Sequence, residues 1–478
     1  MELRDPITGE PMSFARRVRR ALARRFPRAR TAYVQLRHRI SRAPARLRRF
    51  QVTTRWLQRT VSDLWRRRRE RRLTVGVDVT AFWEPLTGVG WYLYRLLEHL
   101  AERDDLRIRL YGPTIVASPD LEGPVVALPT GPALEKVSYR VPLDLILPAG
   151  WVIRCLRRLE PLLIAAEGNQ VLFAPNYFLP RRFSLARAAR VATIHDLGLR
   201  KVPWTLRRET LQELTTKLEH SLFEASHLIS VSGAVRDELA RYRYARPERV
   251  TVVYHGPGQL AAVEPTGLPE GTPPAYALHV GTLEPRKNVL TLLEAWRQLR
   301  RGLPGAPTLV LCGRFGWKSQ AIQRAVRLAE REGWLRHLGY VSEGELASLY
   351  RQATLVVFPS LYEGFGLPAL EAQWAGAPLV CSDLPVLREV AGDAALYAPP
   401  DRPDLLAESF RRVLSEPALR QQLVERGRAR IESFSWASAA RRTAAVWGRA
   451  AGRPLEDSPP SEGPSAGFHP PTPGEGAA

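Results

Sequence analysis

The sequence predicts an α/β protein: two doubly wound domains, each a parallel sheet flanked by helices, facing each other across a cleft and preceded by a basic helical arm. Three observations point there. From Arg72 onward, short β-branched runs alternate with helical patterns, stop at a Pro/Gly-rich break, and start again. The 478 residues are too many for one core, and the length favours two or three domains. The formal charge of +22 is also unevenly placed: residues 1–72 hold 23 arginines, no lysine and 5 acids, while the rest of the chain holds 47 basic against 43 acidic residues.

The arm has helical periodicity. Phe14, Val18, Leu22 and Phe26 recur every four residues, and Leu57, Val61, Leu64 and Trp65 repeat the spacing, with breaks near Pro27 and Pro44. Arginine on one face with Phe, Leu and Trp on the other suits an anionic membrane surface, where each nearby cation contributes ~1 kcal/mol. Phosphates of nucleic acid attract arginine as well, and a solvated arm without a partner is the third reading. The membrane reading carries most weight, and nucleic acid is not expected as a partner. The nearly neutral body lies outside any such argument.

Cys155, Cys312 and Cys381 are far apart and form no CxxC pair, which points to a reducing compartment, buried small hydrophobes and no cysteine-held metal. No apolar segment follows the cationic N-terminus, and the longest apolar stretch, 141–153, is short and interrupted by Asp144 and two prolines. A cytoplasmic protein, at most peripheral at the inner face of the membrane, is expected.

The elements follow in order. Residues 73–82 read as a buried strand, and 87–103 as a glycine turn running into a helix that starts near Trp91. The runs LRIRLYG, VLFAP, RVATIHD, HLISVS and RVTVVYH read as strands, with helices over 206–226 and 233–244. Residues 261–275 form a Pro/Gly-rich linker. Strands then recur in AYALHVG, TLVLCG, LRHLGYV, TLVVFPS, APLVCSD and AALYAP, with helices at 289–301, 319–333, 343–352, from 368, 385–391 and 403–414, and helical pattern over 417–450. The expected domains are the arm 1–72, an acceptor domain 73–262, a donor domain 263–435, a helix 436–451 returning to the first domain, and a disordered Pro/Gly/Ser/Glu-rich tail 452–478.

One stretch carries chemistry at a strand end: PSLYEGFGLPALEAQWAG, 359–376. Glu363 and Glu371 flank a turn around Gly364 and Gly366; Pro368 suits the first turn of the next helix and Gly376 its end. Glycines let backbone approach a ligand, and N–H groups at a helix start attract phosphate. Carboxylates instead accept hydrogen bonds from sugar hydroxyls. A ligand with both phosphates and polyols, a nucleotide sugar, satisfies the pair.

YEGFGLPALEA resembles the E-x7-E motif of the GT-B retaining glycosyltransferases of family 4. HVGTLEPRKN (279–288), LGYVSEGELASLYRQATLVVFPS (338–360) and SDLPVLREVAGDAALYAPPD (382–401) resemble the same family, and the likeness extends over about 73–450. It implies that Lys287, with Arg286, meets the donor diphosphate, Arg286 standing in for the arginine often found where this chain has Thr282. Glu371 would accept from ribose hydroxyls and Glu363 would bind the transferred sugar. The amides of Gly364, Phe365 and Gly366 would line sugar and phosphate. Gly88 and Gly90 would form a loop reaching across the cleft, and His195 would hydrogen-bond the sugar. Taken alone, Arg286 and Lys287 would be a surface loop pair and Glu371 a partner for the helix dipole.

The resemblance further implies retention by front-face displacement, with mannose from GDP-mannose favoured, UDP-glucose second, and a glycan or lipid-linked acceptor. No cofactor and no metal are expected, since no Asp-x-Asp and no His/Cys cluster is present. A nucleotide-sugar epimerase or a phosphorylase shares the fold, but the first lacks the EGFGLP and RKN blocks and the second needs a cofactor lysine. A nucleic-acid or scaffold protein would rest on the arm alone.

Overall fold

The computed structural model describes residues 72–83, 88–112, 115–116, 128–137, 139–140, 160–258, 260 and 263–455. The predicted arm helices, Cys155 and the tail beyond residue 455 lie outside the described residues.

The first lobe is a seven-stranded parallel sheet. Its strands are β1 (Leu73–Asp78), β2 (Leu106–Tyr111), β3 (Leu134–Lys136), β4 (Val171–Ala174), β5 (Ala189–Ile194), β6 (His227–Ser230) and β7 (Val250–Val252), in the order β3-β2-β1-β4-β5-β6-β7. All of β1 is buried, as expected for a strand covered on both faces. The second lobe holds β8 (Tyr276–Val280), β9 (Thr308–Cys312), β10 (Leu335–Gly339), β11 (Leu355–Phe358), β12 (Leu379–Ser382) and β13 (Ala395–Ala398), in the order β10-β9-β8-β11-β12-β13, again all parallel. In both sheets the order reverses direction beside the first strand, at β1/β4 and at β8/β11. Crevices outside the C-terminal strand ends at such points are where open α/β sheets bind ligands.

Two short helices, Glu160–Ala166 and Gly198–Lys201, were not expected from the sequence; the others fall near their predicted places. They are α1 (Gly88–Leu100), α2 (Arg208–Glu224), α3 (Gly233–Arg241), α4 (Val289–Gly302), α5 (Gln320–Arg331), α6 (Glu343–Gln352), α7 (Leu367–Ala375), α8 (Pro385–Ala391), α9 (Pro403–Ser415), α10 (Pro417–Ile431) and α11 (Trp436–Ala450). One reading is corrected: helix α1 begins at Gly88, so Gly88 and Gly90 occupy its first turn and do not form a loop ahead of Trp91. The pattern over 417–450 divides into α10 and the separate helix expected from 436, where Ser435 caps α11 by accepting from the Ser438 amide. Residues 263–275 carry no helix or strand, in keeping with a linker. Cys312 and Cys381 are buried, as expected of small hydrophobes.

Helix α11 packs on α1 of the first lobe. Trp447 meets Phe173 of β4 at 5.1 Å between ring centroids, and Trp436 Nε1 donates to the Pro257 carbonyl at 2.8 Å. One hydrophobic cluster includes Val231 and Val235 from the first lobe with Phe365, Val386 and Leu387 from the second.

Polar contacts also join the lobes. The Glu389 carboxylate of α8 accepts from the Gly233 and Ala234 amides at the start of α3, at 2.6 and 2.9 Å, and from Tyr254 Oη at 2.7 Å. A carboxylate at a helix N-terminus satisfies otherwise unpaired amides. Ser232 Oγ donates to the Gly364 carbonyl at 2.8 Å. Tyr362 Oη accepts from the Leu197 amide at 2.9 Å and donates to Glu238 at 2.7 Å. A Cβ added at Gly364 would lie 1.7 Å from the His195 carbonyl oxygen and 2.8 Å from Asp196 Cβ. Backbone cannot yield to that, so Gly364→Ala is expected to hold the lobes apart. Small-angle scattering should show a larger radius of gyration, and kcat should fall at least tenfold; an unchanged envelope with full activity would refute this.

Candidate active site

The site is built at the β8/β11 switch point. After β8 the chain makes a tight turn, Pro285–Lys287, ended by Asn288 in the left-handed region at φ 58°. Asn tolerates that conformation, and it is tied down: its Nδ2 donates to the carbonyls of Pro359 and Pro400 at 3.0 and 2.6 Å, and its Oδ1 accepts from Thr291 at 2.7 Å. This turn aims Lys287 and Arg286 at the loop that follows β11.

In that loop Gly366 takes φ 95° to start α7, and Gly376 takes φ 72° to end it. Glu363 sits just before the helix, buried between two cations. Its Oε1 is 2.7 Å from Lys287 Nζ and its Oε2 is 3.1 Å from Arg286 Nη1. Burial alone would raise its carboxyl, but Lys287 and Arg286 outweigh burial and hold it at about 2. Arg286 also binds Glu284 Oε1 at 3.2 Å and the Tyr362 carbonyl at 3.2 Å. Burial works against its charge, while Glu363, Asp196 and Glu284 more than restore it, so its pKa is raised. Glu284 is itself buried, with one carboxylate oxygen unpaired.

Glu371 is set differently. It is 8% exposed, and its Oε2 accepts from Tyr350 Oη of α6 at 2.8 Å. Burial pushes its carboxyl up to about 7, against the Tyr350 hydrogen bond and the Lys287 charge, which both lower it. A Cβ on Gly258 would lie 2.2 Å from Glu371 Oε1, so first-lobe backbone closes over this carboxylate. One acid of the pair is thus firmly ionised, and the other titrates near neutrality.

His195 follows β5. Its Nε2 lies 2.7 Å from the Pro175 carbonyl. A carbonyl only accepts, so Nε2 carries the proton and Nδ1 is left as an acceptor. Burial lowers its pKa, against the Pro175 hydrogen bond and Asp196, and keeps the ring neutral. It stacks on His255 at 5.6 Å and meets Tyr92 edge-on at 4.8 Å, which puts the first turns of α1 beside it.

The structure therefore brings Lys287, Arg286 and Glu363 into one cluster, with Glu371 behind it and His195 on the facing lobe. Phe365 is directed into a ring cluster with Tyr254, His255 and Phe434. Thr282 is exposed, and its Cγ2 lies 2.7 Å from where a Gly316 Cβ would be. Sequence reasoning missed Tyr350, Tyr362, Gly258, His255 and Glu389. Tyr350 repeats the spacing of a core aromatic in ELASLY, and the others matter only through contacts across the lobes. Among the described residues no group of three or more His, Cys, Asp or Glu could hold a metal ion, and no helix is long and apolar enough to cross a membrane.

Two facing parallel sheets with a charged cluster at one switch point define a GT-B glycosyltransferase architecture. The fold is similar to sucrose-phosphate synthase from Thermosynechococcus elongatus, with a TM-score of 0.61 and 22% identity over 79% of this chain and 99% of that one. It is also similar to Anabaena HepE in complex with UDP-glucose, with a TM-score of 0.56 and 16% identity over 79% and 99%. The family model "Glycosyltransferase Family 4" matches residues 86–257, and "Glycosyl transferases group 1" matches 264–430. O-antigen chain mannosyltransferase B of Escherichia coli is 32% identical over 383 residues, 74% of this chain and 93% of the relative. A Mycobacterium tuberculosis glycogen synthase is 34% identical over 227 residues, 47% of this chain and 54% of the relative. The chain belongs to the group 1, family 4 glycosyltransferases, and it is a glycosyltransferase.

Proposed function

We propose that the protein transfers a mannosyl group, with retention, from GDP-mannose to a glycan or lipid-linked glycan acceptor. The observation that carries this is the Lys287–Glu363 pair at the β8/β11 switch point, with Glu371 adjacent. Mannose is favoured by the likeness to O-antigen chain mannosyltransferase B, which extends over nearly all of that relative. UDP-glucose is the second donor.

In this reading the diphosphate displaces Glu363 as the anionic partner of Lys287 and Arg286. Glu363 is then free to accept from hydroxyls of the sugar, Glu371 accepts from the ribose, and the protonless Nδ1 of His195 accepts from a sugar hydroxyl. The bond from the anomeric carbon to the phosphate oxygen breaks, the acceptor oxygen bonds on the same face, and its proton passes to the leaving phosphate. The chain supplies positioning and charge stabilisation. Neutralisation by Lys287 requires no metal in this scheme. The Arg-rich segment 1–72 would hold the enzyme to an anionic cytoplasmic membrane surface.

A donor panel tests the reading: GDP-mannose should raise the Tm and be turned over with an α-linked product by NMR. A β-linked product would overturn retention, and turnover of UDP-glucose alone would overturn the donor.

A further inference from the structure

Glu284 is the buried acid of the site to which the scheme above gives no task. It is 1% exposed, and its Oε2 has no hydrogen-bond partner among the described residues. Burial raises its pKa, with Glu363 adding to the rise and Arg286 and Lys287 opposing it, so holding it ionised costs the fold free energy. A costly acid with one unpaired oxygen, beside a cluster of charges, points to a task other than packing.

That task is legible in its geometry. Glu284 Oε1 accepts from Arg286 Nε at 3.2 Å and lies 3.2 Å from Nη2. The other edge of the guanidinium is held elsewhere: Nη1 donates to Glu363 Oε2 at 3.1 Å and to the Tyr362 carbonyl at 3.2 Å. The planar fork is therefore divided between two carboxylates. When a diphosphate takes the place of Glu363, the Nη1 side is given over to the ligand, and the Nε–Nη2 edge keeps Glu284. The guanidinium is thus oriented before the ligand arrives.

Glu284 is itself well fixed. Its carbonyl accepts from the Lys287 amide at 3.0 Å, which closes the turn carrying both cations. Leu283, beside it, pairs with the loop after β9: its amide donates to the Arg314 carbonyl at 2.8 Å and its carbonyl accepts from the Gly316 amide at 3.0 Å. A Cβ on Gly316 would lie 3.2 Å from Glu284 Cβ and 3.7 Å from Oε2, so this loop packs directly on the side chain. A carboxylate so enclosed does not meet a ligand, and its effect on one runs through Arg286.

We propose that Glu284 is a positioning residue, which clamps the Nε–Nη2 edge of Arg286 so that Nη1 faces the departing phosphate. This rests on the glycosyltransferase reading above and adds the residue that orients the second cation.

The test uses the full chain with Glu284→Met, which fills the space without an acceptor, and Glu284→Gln, which keeps an acceptor oxygen. Arg286 is 22% exposed, so water can take the freed edge, and Glu284→Met should melt no lower than the parent because a buried carboxylate is gone. Its kcat with GDP-mannose should nevertheless fall about tenfold or more, with the donor KM changed less than about threefold, because the loss is one of alignment at the transition state. Glu284→Gln should restore kcat to within about threefold of the parent. In an Arg286→Lys background Glu284→Met should cost nothing further, since an ammonium offers no edge to clamp. In protein carrying nitrogen-labelled arginine, the Arg286 Nε–H resonance, identified as the one missing from Arg286→Lys, should exchange slowly with water in the parent and rapidly in Glu284→Met. Parental kcat in Glu284→Met, or an equal loss from it in both backgrounds, would overturn the positioning role, as would rapid Nε–H exchange in the parent. A slow parental Nε–H that Glu284→Met releases, together with parental kcat in Arg286→Lys, would leave the clamp standing and sink the diphosphate reading of Arg286.

Discussion

Lys287→Ala is expected to lower kcat by roughly a thousandfold while the protein remains folded. In the proposed scheme the size follows from removing a preorganised charge from the place where the leaving diphosphate would develop negative charge. The fold should survive because Arg286 stays 3.1 Å from Glu363 Oε2, so the buried carboxylate keeps one cation. Circular dichroism and Tm report the fold, and single-turnover kinetics report the chemistry. A variant with parental kcat would remove Lys287 from the diphosphate role. Glu363→Ala, by contrast, strands two cations together and should cost about 3–5 kcal/mol of stability, as breaking buried pairs does.

Glu371→Gln is the second expected large effect, with opposite signs for stability and activity. The Glu371 carboxyl rises from 4.5 to about 7 in the folded chain. A raised acid means the folded state holds its proton more tightly, so the group's cost is absent below about pH 4.5 and complete above about pH 7. At pH 8 the ionised carboxylate costs about 3 kcal/mol, at 1.36 kcal/mol per pKa unit. Glutamine removes that cost, so the variant should melt higher than the parent at pH 8 and show no advantage near pH 4.5. The donor KM should nevertheless rise at least tenfold, because in the proposed scheme the ribose hydroxyls lose a charged acceptor. In the parent, donor binding should tighten as pH rises through 7. Tyr350→Phe removes a hydrogen bond that lowers this pKa, so the acid limb should move to higher pH with kcat little changed. A Glu371→Gln variant less stable than the parent at pH 8 would contradict this account of the site.

Most strands were legible because they are short, buried runs such as TLVVF, bounded by Gly, Pro or Ser; β3, with no buried residue, was not. The E-x7-E stretch was legible because its punctuation is local: Gly366 and Gly376 need left-handed backbone at either end of one helix. The lobe contacts were not. Gly233 and Glu389 are 156 residues apart, and Tyr362 and Leu197 are 165 apart, and nothing local marks either pair. Gly364 shows the limit within a single residue. The resemblance gives its amide to a ligand, and nothing local shows that the space left by its missing side chain belongs to the His195 carbonyl. The unequal pKa values of Glu363 and Glu371 were equally hidden, because they depend on which of two glutamates receives Lys287 and which receives Tyr350.

The chain passes between the lobes twice, once after Pro257 and once before Trp436, and Trp436 binds Pro257 directly. A Cβ at Gly256 would lie 2.5 Å from the Trp436 backbone nitrogen, so the two passages run in contact. Two straps fastened side by side give the lobes one seam to move about, so any opening there parts the contacts of Glu389 with α3 and of Tyr362 with Glu238 together.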